Sequence, residues 1–451
     1  MPGVDDGDGH RLHPSLVPQR RQVEATTSCD ADAPRALRRT AADGVGRRGS
    51  TILSHRNDGA EGVRSPGDVA AYSPRFTYTD RMVDALGRIE AARAVVEVLP
   101  LPPDRGLQLR LRAAQQHTRS STAIEGNTLG ERDFRRAIVR AGPRAGAAAE
   151  QEVRNYWMAL ERVEDFADRG RPPDQAFIQE LHGIVIVRLR GRRAPSRYRQ
   201  VECPVVDSAT GGIDYAPPKP ADVPSLMAAL EAWLHASTTA AIPVPMRAAI
   251  LSHRFLTIHP FEDGNGRTAR LLATTELWRS GYRMRGFFSF EEFFAADRAK
   301  YYRSLQMGLH FDFYEGRHDA DLTEWIEYFV ETMATAADEL RKRAQRLHQM
   351  SEPPAMPWEE LPRRQQQVLT RLLLASVEQQ TALIELRPAD IRDWFEVSAA
   401  TARKWLHEWV DAGFVEPEDT ANQQRVRRFS LAARWRTLVE EAVIEVQERR
   451  S

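Results

Sequence analysis

His259-Pro260-Phe261-Glu262-Asp263-Gly264-Asn265-Gly266-Arg267-Thr268-Ala269-Arg270 is the stretch from which the rest of this chain is read. Ala249, Ile250, Phe255 and Ile258 precede it and Leu271, Leu272 and Leu277 follow it, so it is a tight loop that feeds a helix N-terminus. The first N–H groups of a helix have no intrahelical acceptor and carry the positive end of its dipole, which suits an anion. Gly264 and Gly266 let successive N–H groups turn into one concavity. Asn265 tolerates a left-handed backbone and adds a side-chain amide. Arg267 and Arg270, three residues apart, reach the same face, and guanidinium forks match phosphate oxygens. Asp263 is a hard oxygen ligand beside that nest, suited to Mg²⁺ bridging two phosphates. His259 is the side chain here whose ordinary pKa lies near neutrality, as a general base requires. The alternative is a polar turn between helices with a satisfied histidine.

Working outward, Met246 to Ile258 and Arg267 to Ser280 are the helices on either side, and Val223 to His235 is another. Tyr198 to Tyr215 breaks the helical pattern. Val201, Val205, Val206 and Ile213 surround the turn-like residues 207–212, which reads as a β-hairpin ended by Pro217, Pro218 and Pro220. Pro173 to Leu189, Glu150 to Asp168, Leu107 to Thr118 and Thr79 to Leu99 are helical upstream. Ser120 and Ser121 are N-cap residue types for a short helix that includes Glu125. Downstream of Ser280, helices continue to Leu347. Pro353, Pro354, Pro357 and Pro362 mark a linker. Beyond it, Arg363 to Ala375, Pro388 to Phe395 and a helix capped by Ser398 through Trp409 precede two strands, 412–416 and 425–431. Residues 1–70 lack any period and read as disordered, or as lying upstream of a mis-assigned start.

The bulk properties exclude several classes. The chain has 451 residues, enough for two or three domains, and its formal net charge of zero provides no global pull toward nucleic acid or anionic membrane. Two cysteines, Cys29 and Cys203, support no disulfide framework and no Cys-rich zinc site. No apolar run is long enough to span a membrane and no secretory leader is visible, so the expected setting is cytoplasmic.

The loop at 259–270 resembles the signature of the Fic family, H-P-F-x-D-G-N-G-R-x-x-R, at every defined position. Chance agreement at these positions is on the order of 10⁻¹² per start site at residue frequencies near one in twenty. The resemblance implies a mainly α, Fic (Fido) helical domain with a β-hairpin flap, and an enzyme that transfers AMP from ATP to a Ser, Thr or Tyr hydroxyl of a target protein. His259 would be the base and Asp263 the Mg²⁺ ligand. Gly264, Asn265 and Gly266 would cradle the phosphates, and Arg267 and Arg270 would clamp them. Phe261 would anchor the loop in the core.

Ser121-Thr122-Ala123-Ile124-Glu125-Gly126-Asn127 resembles the family's inhibitory motif. By that resemblance Glu125 pairs with Arg270 and denies it to the γ-phosphate, Gly126 ends the helix, and Ser121 and Asn127 complete the motif. The hairpin resembles the family's flap, which binds a target segment by strand addition; Val205 and Val206 are the flap residues expected near the nucleotide, although a local strand contact accounts for them equally. Lys300-Tyr301-Tyr302 resembles a segment beside the adenine pocket, with Tyr301 and Tyr302 as base contacts or as core.

The C-terminal unit resembles a winged helix-turn-helix, with Thr401, Arg403 and Lys404 on the recognition helix and Arg425, Arg427 and Arg428 on the wing. Intervening acidic residues weaken the basic footprint, so DNA and protein docking both stay open. The implied organisation is 1–70 disordered, 71–145 helical with the inhibitory segment, 146–350 catalytic, 351–361 linker and 362–451 winged helix. The expected partners are ATP, a target protein at the flap, DNA at the winged helix and a second copy in a homodimer, with no membrane. Two other functions fit the same residues: a nucleotide-sensing DNA-binding regulator, and a hydrolase that removes AMP.

Overall fold

In a computed structural model of the chain, the described residues are 71–101, 103–139, 148–187, 196–206, 212–349, 358–379, 382–418 and 428–448. Five helices come first: α1 Asp80–Val98, α2 Pro103–Ile124, α3 Glu131–Val139, α4 Ala148–Ala167 and α5 Gln175–Val185. The hairpin β1 Val205–Val206 and β2 Ile213–Tyr215 follows. Next are α6 Val223–His235, α7 Val244–Ile258, α8 Asn265–Arg279, α9 Glu291–Ala296, α10 Arg298–Gln306 and α11 Thr323–Gln349. The C-terminal part comprises α12 Arg363–Gln379, β3 Glu385–Leu386, α13 Pro388–Phe395, α14 Ala399–Asp411, β4 Val415–Pro417, β5 Phe429–Leu431 and α15 Ala433–Glu448. The mainly α expectation holds. No helix among the described residues is long and apolar enough to cross a membrane.

The centre of the molecule is the pair α7 and α8, joined by the 259–264 loop. α7 is buried on nearly every face, from Met246 and Ala249 to Phe255 and Ile258, and a helix apolar all round belongs in a core. α4 and α5 pack on α8, α6 packs on α7, and α11 packs on the other side of α7. α1 lies along α11 with Met82, Ala85, Ile89, Ala92 and Val96 inward and Arg81–Glu331 and Arg88–Asp338 ion pairs along the seam. The interior thus holds the loop rigidly from both ends, which is how a packed scaffold positions a functional loop.

Several boundaries differ from the sequence reading. α2 is one continuous helix, so Ser120 and Ser121 lie inside it and are not N-caps; the capping preference is overridden by tertiary packing of an unbroken apolar face. Glu125 therefore sits just past the end of a 22-residue helix. Gly126 ends it as expected, with φ 97°. The hairpin is shorter than 198–215: Val205 pairs with Tyr215 and Val206 with Ile213, and the turn at 207–211 lies outside the described residues. Cys203 is buried and disulfide-bonded, which corrects the expectation at that residue.

The C-terminal elements pack against the helices that precede them. α12 packs on α3 and α2, and α15 packs on α12 and α2. Trp358, placed in the linker by its prolines, is fully buried with Arg110 of α2 stacked over its ring. Arg110 also donates to Glu164 at 3.0 Å and to Gln366 of α12 at 2.6 Å. Burial opposes ionisation of Glu164, but Arg110, Arg283 and Arg363 outweigh it and hold the carboxyl down at about 2. The sheet order is β3-β5-β4, antiparallel throughout, with Leu386 opposite Phe429 and Val415 opposite Leu431. The expected helices 388–395 and 398–409 are present, Ser398 capping the second by accepting from Thr401 N–H. β3 and α15 were not anticipated. Arg425 and Arg427 lie outside the described residues; Arg428 adjoins β5.

Candidate active site

The loop begins with a left-handed histidine. His259 caps α7 at φ 50°, its N–H donating to Phe255 O at 3.0 Å. A bulky residue at positive φ costs of order 1–3 kcal/mol and persists where the surroundings over-determine it. They do so here. Arg199, 2% exposed, donates through Nε to His259 O at 2.8 Å, through Nη1 to Val201 O and through Nη2 to Pro218 O, while its N–H donates to Pro260 O. One buried guanidinium thus joins the loop to both sides of the flap.

Inside the loop, Asn265 turns its side chain inward. Its Nδ2 donates to Phe261 O at 2.8 Å and its Oδ1 accepts from Phe261 N–H at 3.0 Å. The left-handed residues are His259 and Gly264, not Asn265, and the amide braces the loop rather than facing an anion. Phe261, 1% exposed, is the core anchor expected; His182 stacks on it at 3.6 Å between ring centroids. One His182 nitrogen donates to Asp263 O and the other accepts from the Ser196 hydroxyl, both at 2.7 Å, and burial pushes its pKa down to about 4, which keeps the ring neutral for that role. Gly264 has φ 76°, and a Cβ there would stand 2.9 Å from Ile186. His182 and Arg199 carry the loop's shape. In the sequence Arg199 is simply one residue of the 198–215 hairpin segment, and His182 gives no local signal.

His259 is buried, and burial, followed by the Arg199 charge, brings its pKa down to about 4. One ring nitrogen is hydrogen-bonded to the Leu256 backbone, which orients the ring and leaves the other nitrogen as an acceptor. Asp263 is half-exposed; its Oδ1 accepts from Gly264 N–H at 2.6 Å and from Arg267 Nη2 at 3.2 Å.

Glu125 meets the helix N-terminus from across the fold. Arg270 Nη2 donates to its Oε1 at 2.7 Å. On its far side Arg270 donates through Nε to Ser121 Oγ at 2.6 Å and through Nη2 to Ser121 O at 2.9 Å. A Cβ at Gly266 would stand 2.2 Å from Glu125 Oε1, so the carboxylate rests directly on the first turn of α8. Burial disfavours the charged form of Glu125, yet Arg270 and Arg267 outweigh it and the carboxyl is held below its ordinary range. For Arg270 burial likewise opposes the charge and Glu125 more than restores it.

One cavity of about 510 Å³ gathers most of the expected residues. Glu125, Val205, Val206, His259, Asp263, Gly264, Asn265, Gly266, Arg270, Tyr301 and Tyr302 all line it. Tyr301 is itself core, 1% exposed and 4.8 Å from the Phe294 ring, while Tyr302 is partly exposed with Arg298 over its face. Arg267 is the exception among the loop residues expected at the nucleotide. It does not line the cavity but pairs with Glu152 of α4 at 2.7 Å. Ser121, Gly126 and Asn127 do not line the cavity either.

Residues 172–277 match the sequence model of the Fic/DOC family. The chain is 34% identical over 207 residues to a protein adenylyltransferase Fic of Nematostella vectensis, covering 44% of this chain and 45% of that one. It is 30% identical over 217 residues to a protein adenylyltransferase Fic of Culex quinquefasciatus, covering 46% and 39%. The chain thus spans under half the length of these relatives. The crystal structure of a Fic family protein from Desulfovibrio desulfuricans G20 superimposes with a TM-score of 0.50 at 22% identity, over 80% of this chain and 99% of that one, a likeness of fold.

Proposed function

We propose that this chain, whose residues 172–277 form a Fic/DOC domain, transfers AMP from ATP to a hydroxyl side chain of a target protein and that Glu125 restrains it. The observation that carries the reading is the meeting of a neutral His259, Asp263, the first turn of α8 and Arg270 around one cavity of about 510 Å³. That volume suits a nucleotide-sized ligand. The adenylyltransferase names of the relatives support the same reaction.

In this reaction the target hydroxyl gives its proton to the free nitrogen of His259. Its oxygen attacks the α-phosphorus, the bond from that phosphorus to the bridging oxygen breaks, and pyrophosphate leaves with the electron pair. The phosphates of bound ATP favour the imidazolium and so raise the His259 pKa from about 4 toward the range useful for a base. The N–H groups at the start of α8, with Arg270 once released, hold the negative charge. Tyr302 offers an aromatic face for adenine, and the edge of β1 and β2 offers the target a strand partner.

Asp263 suits Mg²⁺. The donors it accepts from both fall on Oδ1, which leaves Oδ2 without one among the described residues. No cluster of three or more His, Cys, Asp or Glu among those residues would hold an ion unaided, so the ion would take its other ligands from phosphate and water. When bound it would neutralise charge on the departing pyrophosphate. A cytoplasmic setting, where ATP and Mg²⁺ are abundant, fits this reaction.

Glu125 also supports the reverse reaction. It is ionised and lines the same cavity as His259, as a water-orienting group for removal of AMP would be. A nucleotide-sensing regulator would need the anion seat but not an oriented base, so His259 favours the enzyme. We assign β3–β5–β4 with α13 and α14 to a winged helix that docks DNA or protein. The test is incubation with α-labelled ATP and Mg²⁺. Label retained on protein by Glu125→Gly and not by His259→Ala supports transfer, whereas label lost from a pre-modified target supports the reverse.

A further inference from the structure

Arg267 is the one arginine of the loop that faces away from the cavity, and its surroundings explain why. Its Nη1 pairs with Glu152 Oε1 at 2.7 Å and its Nη2 with Asp263 Oδ1 at 3.2 Å. Its Nε is buried with no acceptor among the described residues, so the guanidinium is only part-satisfied where it lies. The other oxygen of Glu152 accepts from Asn127 Nδ2 at 2.7 Å, and that amide also donates to Ala149 O at 3.0 Å. Asn127 Oδ1 in turn accepts from Leu129 N–H at 3.2 Å, which fixes the amide's orientation. Asn127 stands two residues past Glu125. The turn that covers Arg270 through Glu125 therefore also reaches Arg267, through Asn127 and Glu152.

We infer that Glu152 is a second restraining residue: it positions Arg267 off the nucleotide and, through Asn127, ties that hold to the same turn as Glu125. The inference rests on the reading of the cavity as a nucleotide site. Around it three carboxylates, Glu125, Glu152 and Asp263, face two guanidinium groups, so a polyphosphate has to displace carboxylates to gain both arginines. Burial disfavours the charged form of Glu152 and, with the charges of Glu125 and Asp263, outweighs the opposing pull of Arg267 and Asn127, which makes it a ready group to yield. Removing Glu125 alone leaves Arg267 still held.

The experiment measures affinity for a non-hydrolysable ATP analogue with Mg²⁺ in the full chain carrying Glu125→Gly, alone and with Glu152→Gln, Glu152→Asp or Glu152→Gln plus Arg267→Met. Glu152→Gln removes the charge. Glu152→Asp keeps the charge but retracts it from the 2.7 Å contact. Both are expected to tighten binding, Gln by about 5- to 20-fold, the range of a part-exposed charge-assisted hydrogen bond gained by phosphate. Adding Arg267→Met is expected to abolish the gain. Tightening by Gln but not Asp would reduce Glu152 to a repulsive charge and overturn the positioning role, and so would unchanged or weaker binding in both. If Glu125→Gly itself bound no nucleotide, the reading of the cavity and this inference would fall together; binding that ignores Glu152 would sink the inference alone.

Discussion

Replacing Glu125 by glycine takes one carboxylate out of a 2.7 Å contact with Arg270 and off the first turn of α8. Arg270 is 3% exposed and Glu125 21%, so the pair is only lightly screened by solvent. A hydrogen bond to a charged group contributes about 1.5–3 kcal/mol, which corresponds to about 10- to 150-fold in the population able to accept a γ-phosphate at Arg270. The same carboxylate also fills the space over Gly266, where a Cβ would already stand 2.2 Å away, so the effect has a steric part besides the electrostatic one. Glu125→Gln separates them. It keeps the volume and loses the charge, and is expected to activate less than glycine does. Arg270→Ala is expected to be inactive alone and in the Glu125→Gly background, because it removes the clamp that the carboxylate was covering. The assay is the initial rate of label transfer from α-labelled ATP to protein across a range of ATP concentrations. Equal rates for wild type and Glu125→Gly at saturating ATP would refute the reasoning, and so would full activity in the Arg270→Ala variants.

His259→Ala is expected to abolish transfer while leaving affinity for ATP within a few-fold, since the ring supplies a lone pair and not a phosphate contact. The base works when neutral, so activity is lost as pH falls through its pKa. With that value at about 4 in the free protein, the acid limb of kcat/KM for Glu125→Gly should lie well below 6.5, and a midpoint at or above 6.5 would count against the buried neutral ring. Asp263→Ala, or a chelator, should stop transfer, with Mg²⁺ or Mn²⁺ restoring the chelated wild-type loop but not the variant; transfer without metal would remove Asp263 from its role. If the C-terminal unit docks DNA, the full chain should bind duplex with steep salt dependence and Arg403→Ala, exposed on α14, should lower that slope by about one; no binding at low salt to a random-sequence pool would favour protein docking.

Periodicity located the helices because most bury a single apolar stripe, as α1 does with Met82, Ala85, Ile89, Ala92 and Val96. Local cues misled where packing overrode them. The serine pair at 120–121 looks like a helix start, but α2 runs through it because its neighbours bury both flanks. The prolines near 351–362 look like a tether, yet Trp358 is drawn into the core beneath Arg110. β3, only two residues long, has no pattern of its own and exists because β5 offers it an edge.

The site divides along the same line. Residues whose chemistry is local, such as a histidine before a glycine-rich turn or arginines on a helix's first turns, could be read from spacing. Glu125 and Arg270 are 145 residues apart, so their contact had no local signature and came only through resemblance to a family. His182, Arg199 and Glu152 show the limit more sharply. Each is an ordinary polar residue in its own segment, and each acts by reaching a main-chain carbonyl or a guanidinium of the loop from another element. Asn265 shows the converse. Its motif position suggested a phosphate contact, but both ends of its side-chain amide are used by Phe261, so that side chain shapes the loop. A motif records which residues a site needs; which of them touch the ligand and which hold the others is decided by the hydrogen-bond partners that only the folded chain brings within reach.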